Sequence, residues 1–72
     1  MLPSKKRLRS LLIMWARSAN RISLSEEDSA LYITDRYMAY RRNILFESDR
    51  TTVDEMMLSI IKEICNASDN NP

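Results

Sequence analysis

The chain contains no glycine, no histidine and a single cysteine, and its two prolines stand at positions 3 and 72. Each absence excludes something. Tight β-hairpins need residues with positive φ, usually glycine, so a glycine-free chain with no interior proline reads as helical. Glycine-rich loops that cradle phosphates are excluded too. Without imidazole, and with only Cys65 as a thiol, a zinc cage has no ligand set. One cysteine forms no intrachain disulfide. Catalysis is left with carboxylates, and the acidic runs at Ser25–Asp28 and Asp54–Glu55 are explained by helix starts alone. The expectation is a protein that is not an enzyme and carries no cofactor. Cys65 has no histidine or flanking base beside it to activate the thiol and reads as incidental.

What is present is a split of charge. Residues 1–22 carry Lys5, Lys6, Arg7, Arg9, Arg17 and Arg21 without one acid, whereas residues 23–72 carry ten acids and five bases. The net charge of +1 hides this division. Either the two parts of the chain attract each other, or the basic arm meets an acidic partner.

Periodicity supplies three helices, about 5–19, 25–46 and 52–65, in one domain spanning 1–72 with a frayed tail at 66–72. Ser4 suits the first N-cap. Leu8, Leu11, Leu12, Trp15, Ala19 and Ile22 follow at helical spacing. Asn20 is the expected stop. The second helix opens on "SLSEED", where Ser23 with Glu26 and Ser25 with Asp28 both have capping-box spacing. Ala30, Ile33, Tyr37, Tyr40 and Ile44 make a heptad-like seam. Leu31, Met38 and Leu45 make a second stripe. Asn43 offers an earlier end, which would leave 44–46 as a packed turn. "FESDRTT", residues 46–52, reads as the second break, with Thr52 and Glu55 as the next capping box. Val53, Met56, Met57, Ile60, Ile61 and Ile64 form the last apolar face.

The architecture expected is a small all-α, three-helix domain that self-associates. A core of this size contributes no more than about 3–5 kcal/mol net, and disulfide and metal staples are missing. The candidate interface comprises the Trp15 face, Leu31, Tyr32, Met38 and Leu45. The candidate anion-binding surface comprises Lys5, Lys6, Arg7, Arg9, Arg17 and Arg21. The primary expectation is a small regulator working by protein–protein contact, as a homodimer. The alternative is a nucleic-acid-binding regulator using residues 5–21, because six cations on one element neutralise several phosphates. No base-reading motif accompanies them. A membrane surface ranks lower as partner, although Trp15 beside Leu11, Leu12 and Ile13 under a basic face has the interfacial pattern. Residues 1–23 also share the acid-free, arginine-rich composition of a mitochondrial presequence. "LLIMWA" is short for a secretory core, and no run approaches a membrane span of about 18 apolar residues. The expected location is the cytoplasm.

"RSANRISLSEEDSALYI" at 17–33 and "MMLSIIKEICNASD" at 56–69 resemble small enterobacterial biofilm-development proteins of the YmgB/AriR type. That family has an acidic helix start after an "RSxN"-like stretch and a later "IILxLIxxLExxSD"-like helix. Here the two blocks lie several residues further apart, with "AYRRNILFESDR" in place of a glycine-containing segment. The resemblance implies an all-α, dimeric regulator that binds a signalling protein, with DNA contact possible. "LSEEDSALY" and "AYRRNIL" are similar to segments of Hha-type nucleoid modulators, at a different spacing.

Overall fold

The computed structural model describes residues 2–69, and they form three α-helices: α1 (Lys5–Arg21), α2 (Glu26–Arg42) and α3 (Glu47–Asp69). The all-α, three-helix expectation holds, with shifted boundaries.

Ser4 caps α1, its Oγ accepting from the Arg7 N–H at 3.1 Å. Asn20 does not end the helix. The chain continues to a C-cap at Ile22, and Ser23 then takes φ 58°. The N–H of Leu24 bonds to Ala19 O and that of Ser23 to Asn20 O. This is a Schellman ending with serine in the left-handed position that glycine usually fills. Of the two overlapping capping positions, Ser25 is the N-cap: its Oγ accepts from Asp28 N at 3.2 Å. Glu26, Glu27 and Asp28 occupy the first turn, where the helix dipole favours them.

The second helix stops at Arg42, four residues before the expected end, with Asn43 as its C-cap. Asn43 Nδ2 donates back to Ala39 O, supplying a carbonyl that has no helical partner. The alternative end at Asn43 is therefore the one observed, although the connection is only partly packed: Leu45 is 85% and Phe46 67% exposed. The third helix starts at Glu47 and not at Thr52. Phe46 O accepts from Arg50 N, and the Arg50 guanidinium donates to Ile44 O at 2.8 Å, tying the connection to the first turn of α3. Thr52 is inside the helix, its hydroxyl donating to Ser48 O. Asn66 does not end α3. Residues 66–69 of the expected frayed tail are helical, and 70–72 lie outside the described residues.

The core is Leu8, Leu11, Trp15 and Ala19 from α1 against Val53, Met57 and Ile60 from α3. Leu8, Val53 and Ile60 are fully buried. Each large aliphatic side chain so buried contributes about 1.5–3 kcal/mol relative to exposure. Helix α2 contributes no fully buried residue. Its seam residues Ile33, Tyr37 and Tyr40 lean on the core and stay half-buried, as does Ile44 from the connection beyond its end, and Ala30 is exposed. Helix α1 packs along both partners, whereas α2 and α3 scarcely approach each other.

Candidate functional site

Two surfaces result from this packing: the outer face of α1 and the open side between α2 and α3. The first is built by phase. Lys6, Ser10, Ile13, Met14, Arg17 and Arg21 fall opposite the Leu8–Leu11–Trp15–Ala19 face at 100° per residue. Arg7 is exposed at its edge. A shallow groove there is lined by Ser10, Ile13, Met14, Arg17, Ser18 and Arg21.

The six predicted cations do not stay together. Lys5 pairs with Glu63 of α3 and also donates from Nζ to Ser59 Oγ at 3.0 Å. Arg9 pairs with the other Glu63 oxygen at 2.8 Å. The two cations hold the Glu63 carboxyl below the usual carboxylate range, Lys5 through the larger effect and Arg9 after it. The sequence's division of charge is thus partly answered within the fold, basic arm to acidic helix. Lys6, Arg7, Arg17 and Arg21 remain exposed on α1. They form a face with four cations, two exposed apolar side chains (Ile13 and Met14) and no acid.

The predicted interface also divides. Trp15 belongs to the core and is not a surface residue; its ring meets Tyr40 edge-on, with centroids 6.2 Å apart and planes at 62°. Tyr32 is half-buried against the core and lies under the Arg36 guanidinium, 5.5 Å from the ring centroid. The same guanidinium donates to the phenol oxygen and lowers its pKa. Leu31 and Met38 are exposed as expected, but Leu45 does not extend their stripe, because α2 has ended before it. Leu45 instead borders a hollow with Leu2, Pro3, Tyr40 and Phe46.

The second surface starts from a polar link that sequence reading misses. Asp54 accepts from Tyr37 Oη at 2.5 Å and from Arg41 Nε at 3.0 Å. The Arg41 contact holds the Asp54 carboxyl low, assisted by Tyr37, against some loss of hydration. Burial pushes the Tyr37 phenol well above its ordinary value, and the adjacent Asp54 adds to this. The link fixes which sides of the two helices face each other. On α2 the line Leu31, Thr34, Met38, Arg41 has 3-4-3 spacing; on α3 the line Asp54, Leu58, Ile61, Cys65 has 4-3-4 spacing. Residues so spaced share a helix face. The lines meet at Arg41–Asp54 and then diverge. The first line carries Leu31 and Met38 and the second Leu58 and Ile61, all exposed. These four side chains are 62%, 45%, 58% and 42% exposed. Heptad spacing finds Leu31 and Met38. It does not find Leu58, and apolar periodicity places Ile61 in the core. The signal for Leu58 and Ile61 is their 4-3 continuation from Asp54, invisible until Asp54 is known to face α2.

Among the described residues no group of His, Cys, Asp or Glu side chains is placed to hold a metal ion, and no helix is long and apolar enough to cross a membrane. No protein-family model matches the chain, and no curated protein or solved structure shows significant similarity to it.

Proposed function

We propose that the chain is a small, non-catalytic regulatory protein that acts by protein–protein contact through its helical surfaces. The observation that carries this reading is the exposure of four large apolar side chains on α2 and α3: Leu31, Met38, Leu58 and Ile61. Exposed large apolar side chains are ordinary singly, but a contiguous cluster framed by polar residues is the surface on which proteins associate. The test is capture from nuclease-treated lysate by the full chain, compared with Leu58→Asp. The expected result is a protein partner retained by the unmodified chain and released by the variant. Equal capture by both, or capture abolished by nuclease, would overturn the reading.

A second reading is favoured by one specific observation, the acid-free outer face of α1. Lys6, Arg7, Arg17 and Arg21 are placed to neutralise phosphates of nucleic acid. Lys5 and Arg9 are engaged by Glu63 and add less. Replacing one phosphate-bound cation by Gln lowers the log–log salt slope by about 0.9 on duplex DNA. Cations on phosphates position the protein without specifying sequence, so affinity falls alike on all duplexes. The expected binding is weak and vanishes near physiological salt. Tight, sequence-dependent binding that survives there would make this second reading the primary one.

A further inference from the structure

We infer that the outer face of α1 docks on a membrane surface rich in anionic lipid headgroups. The helix lies flat on it, with Ile13 and Met14 turned to the acyl boundary and Lys6, Arg7, Arg17 and Arg21 on the headgroups. This face is separate from the exposed apolar side chains of α2 and α3, so the inference stands apart from the protein-contact reading.

Charge sets the sign of the partner. All four cations are exposed, and α1 holds no acid along its length. None of the ion pairs among the described residues engages them. Arg36 of α2 adds a fifth cation at the margin: it lies over the Tyr32 ring, whose hydroxyl is close to Ser18 on the rim of the α1 groove. Each Lys or Arg held near an anionic leaflet strengthens binding by about fivefold.

The placing of the apolar pair selects lipid among polyanions. Ile13 and Met14 are 42% and 52% exposed. Lys6 and Arg7 stand about two turns before them, Arg17 about one turn and Arg21 about two turns after them. Lys6, Ile13, Met14, Arg17 and Arg21 share one side of the helix over about 22 Å. A helix in a membrane interface buries its apolar side chains at the acyl boundary and keeps its cations at headgroup level. Long cationic side chains reach that level past apolar neighbours. Phosphates along a duplex engage the cations but leave Ile13 and Met14 in water, and no base-reading motif carries them into a groove.

Access agrees with this. Helix α1 meets its two neighbours through the opposite side, where Leu8, Leu11, Trp15 and Ala19 are buried. A flat surface therefore reaches the whole stripe. Trp15, which in sequence has the setting of an interfacial anchor, stays in the core. The contact relies on charge and two aliphatic side chains, and it is reversible.

The experiment is co-sedimentation of the full chain with phosphatidylcholine vesicles containing about one-third phosphatidylserine, against pure phosphatidylcholine, across a salt series. The expected result is binding to the anionic vesicles alone, with part of it surviving at physiological salt because the apolar contact is not screened. Lys6→Gln with Arg17→Gln should weaken it about 25-fold. Ile13→Gln with Met14→Gln should weaken it about tenfold and leave binding to duplex DNA unchanged. Both pairs change exposed positions and should keep the helical circular-dichroism signal. Leu58→Asp, on α3, should bind the vesicles as the unmodified chain does. No binding to anionic vesicles at low salt overturns the inference, and so does equal binding to both kinds of vesicle. Vesicle binding that is indifferent to Ile13 and Met14 overturns it too, since any polyanion then suffices. Binding to duplex DNA at a salt concentration where vesicles are released assigns the face to nucleic acid instead.

Discussion

Ser23 holds φ 58° with a side chain that clashes with its own backbone there. A left-handed non-glycine residue costs about 1–2 kcal/mol. Glycine avoids that cost and gives back part of the gain through the freedom it adds to the unfolded chain. Ser23→Gly should therefore raise stability by about 0.5–1 kcal/mol, read as a higher urea midpoint at unchanged slope. Charge makes a separate prediction. Asp54 and Glu63 have pKa values lowered by the fold, so between their folded and unfolded values the unfolded state binds more protons. Their stabilisation is present above pH ~4 and is lost as pH falls through the folded values. Tyr37 is raised, so its contribution is complete below pH ~10 and is lost as pH rises beyond it. A pH series of thermal midpoints should be flat from about 5 to 9 and fall on both sides. Asp54→Asn should soften the acid limb; an unchanged limb would place the acid sensitivity elsewhere.

The start of α3 illustrates how local chemistry misleads. "FESDRTT" is rich in residues that suit caps and turns, and Thr52 with Glu55 has capping-box spacing. Serine, threonine and aspartate favour helix starts because they compete with the backbone for hydrogen bonds, but they also sit within helices when something else fixes the start. Here the Arg50 side chain reaches back to Ile44 O and the helix begins at Glu47. Proline substitution separates the two starts. Glu47→Pro stands at the first helical position, where a missing N–H costs little. Thr52→Pro removes an interior hydrogen bond and should cost about 3 kcal/mol or more. Thermal midpoints of the two variants measure this, and equal midpoints would contradict the observed boundary. The stops of α1 and α2 carry a similar ambiguity: asparagine is the natural choice at both, and it serves only at Asn43.

The three helices share one core, and α2 and α3 keep large apolar side chains exposed outside it. The self-association expected from the sequence has a thermodynamic signature: a ligand that binds only the folded state raises its apparent stability, and here the ligand would be the chain itself. The thermal midpoint should rise with protein concentration, and Leu58→Asp should remove that dependence. If copies associate through the exposed side chains of α2 and α3, the cations Lys6, Arg7, Arg17 and Arg21 of α1 stay out of the contact. Lys6→Gln with Arg17→Gln should then lower affinity for polyanions and leave the dimer midpoint unchanged. A shift of that midpoint would mean that α1 takes part in the interface.

The all-α class, the three helices and most of the α1 and α3 core faces were legible because each depends on composition and local period, whereas Ile22, Ile61 and Ile64, which the same periods put on those faces, are exposed. Absence of glycine, apolar spacing of three and four, and serine caps act within one helix or turn. Relations between helices were not legible. Lys5 and Arg9 look like members of a free cationic surface until Glu63, more than fifty residues away in sequence, proves to lie beside them. Trp15 has the same amphipathic setting in sequence whether it faces a membrane, a partner or a core, and the approach of Tyr40 and α3 places it inside. The exposure of Leu31, Met38, Leu58 and Ile61 depends on how little α2 and α3 touch. Periodicity gives the direction a side chain points about its own helix axis; only the packing of helix on helix decides what stands in that direction.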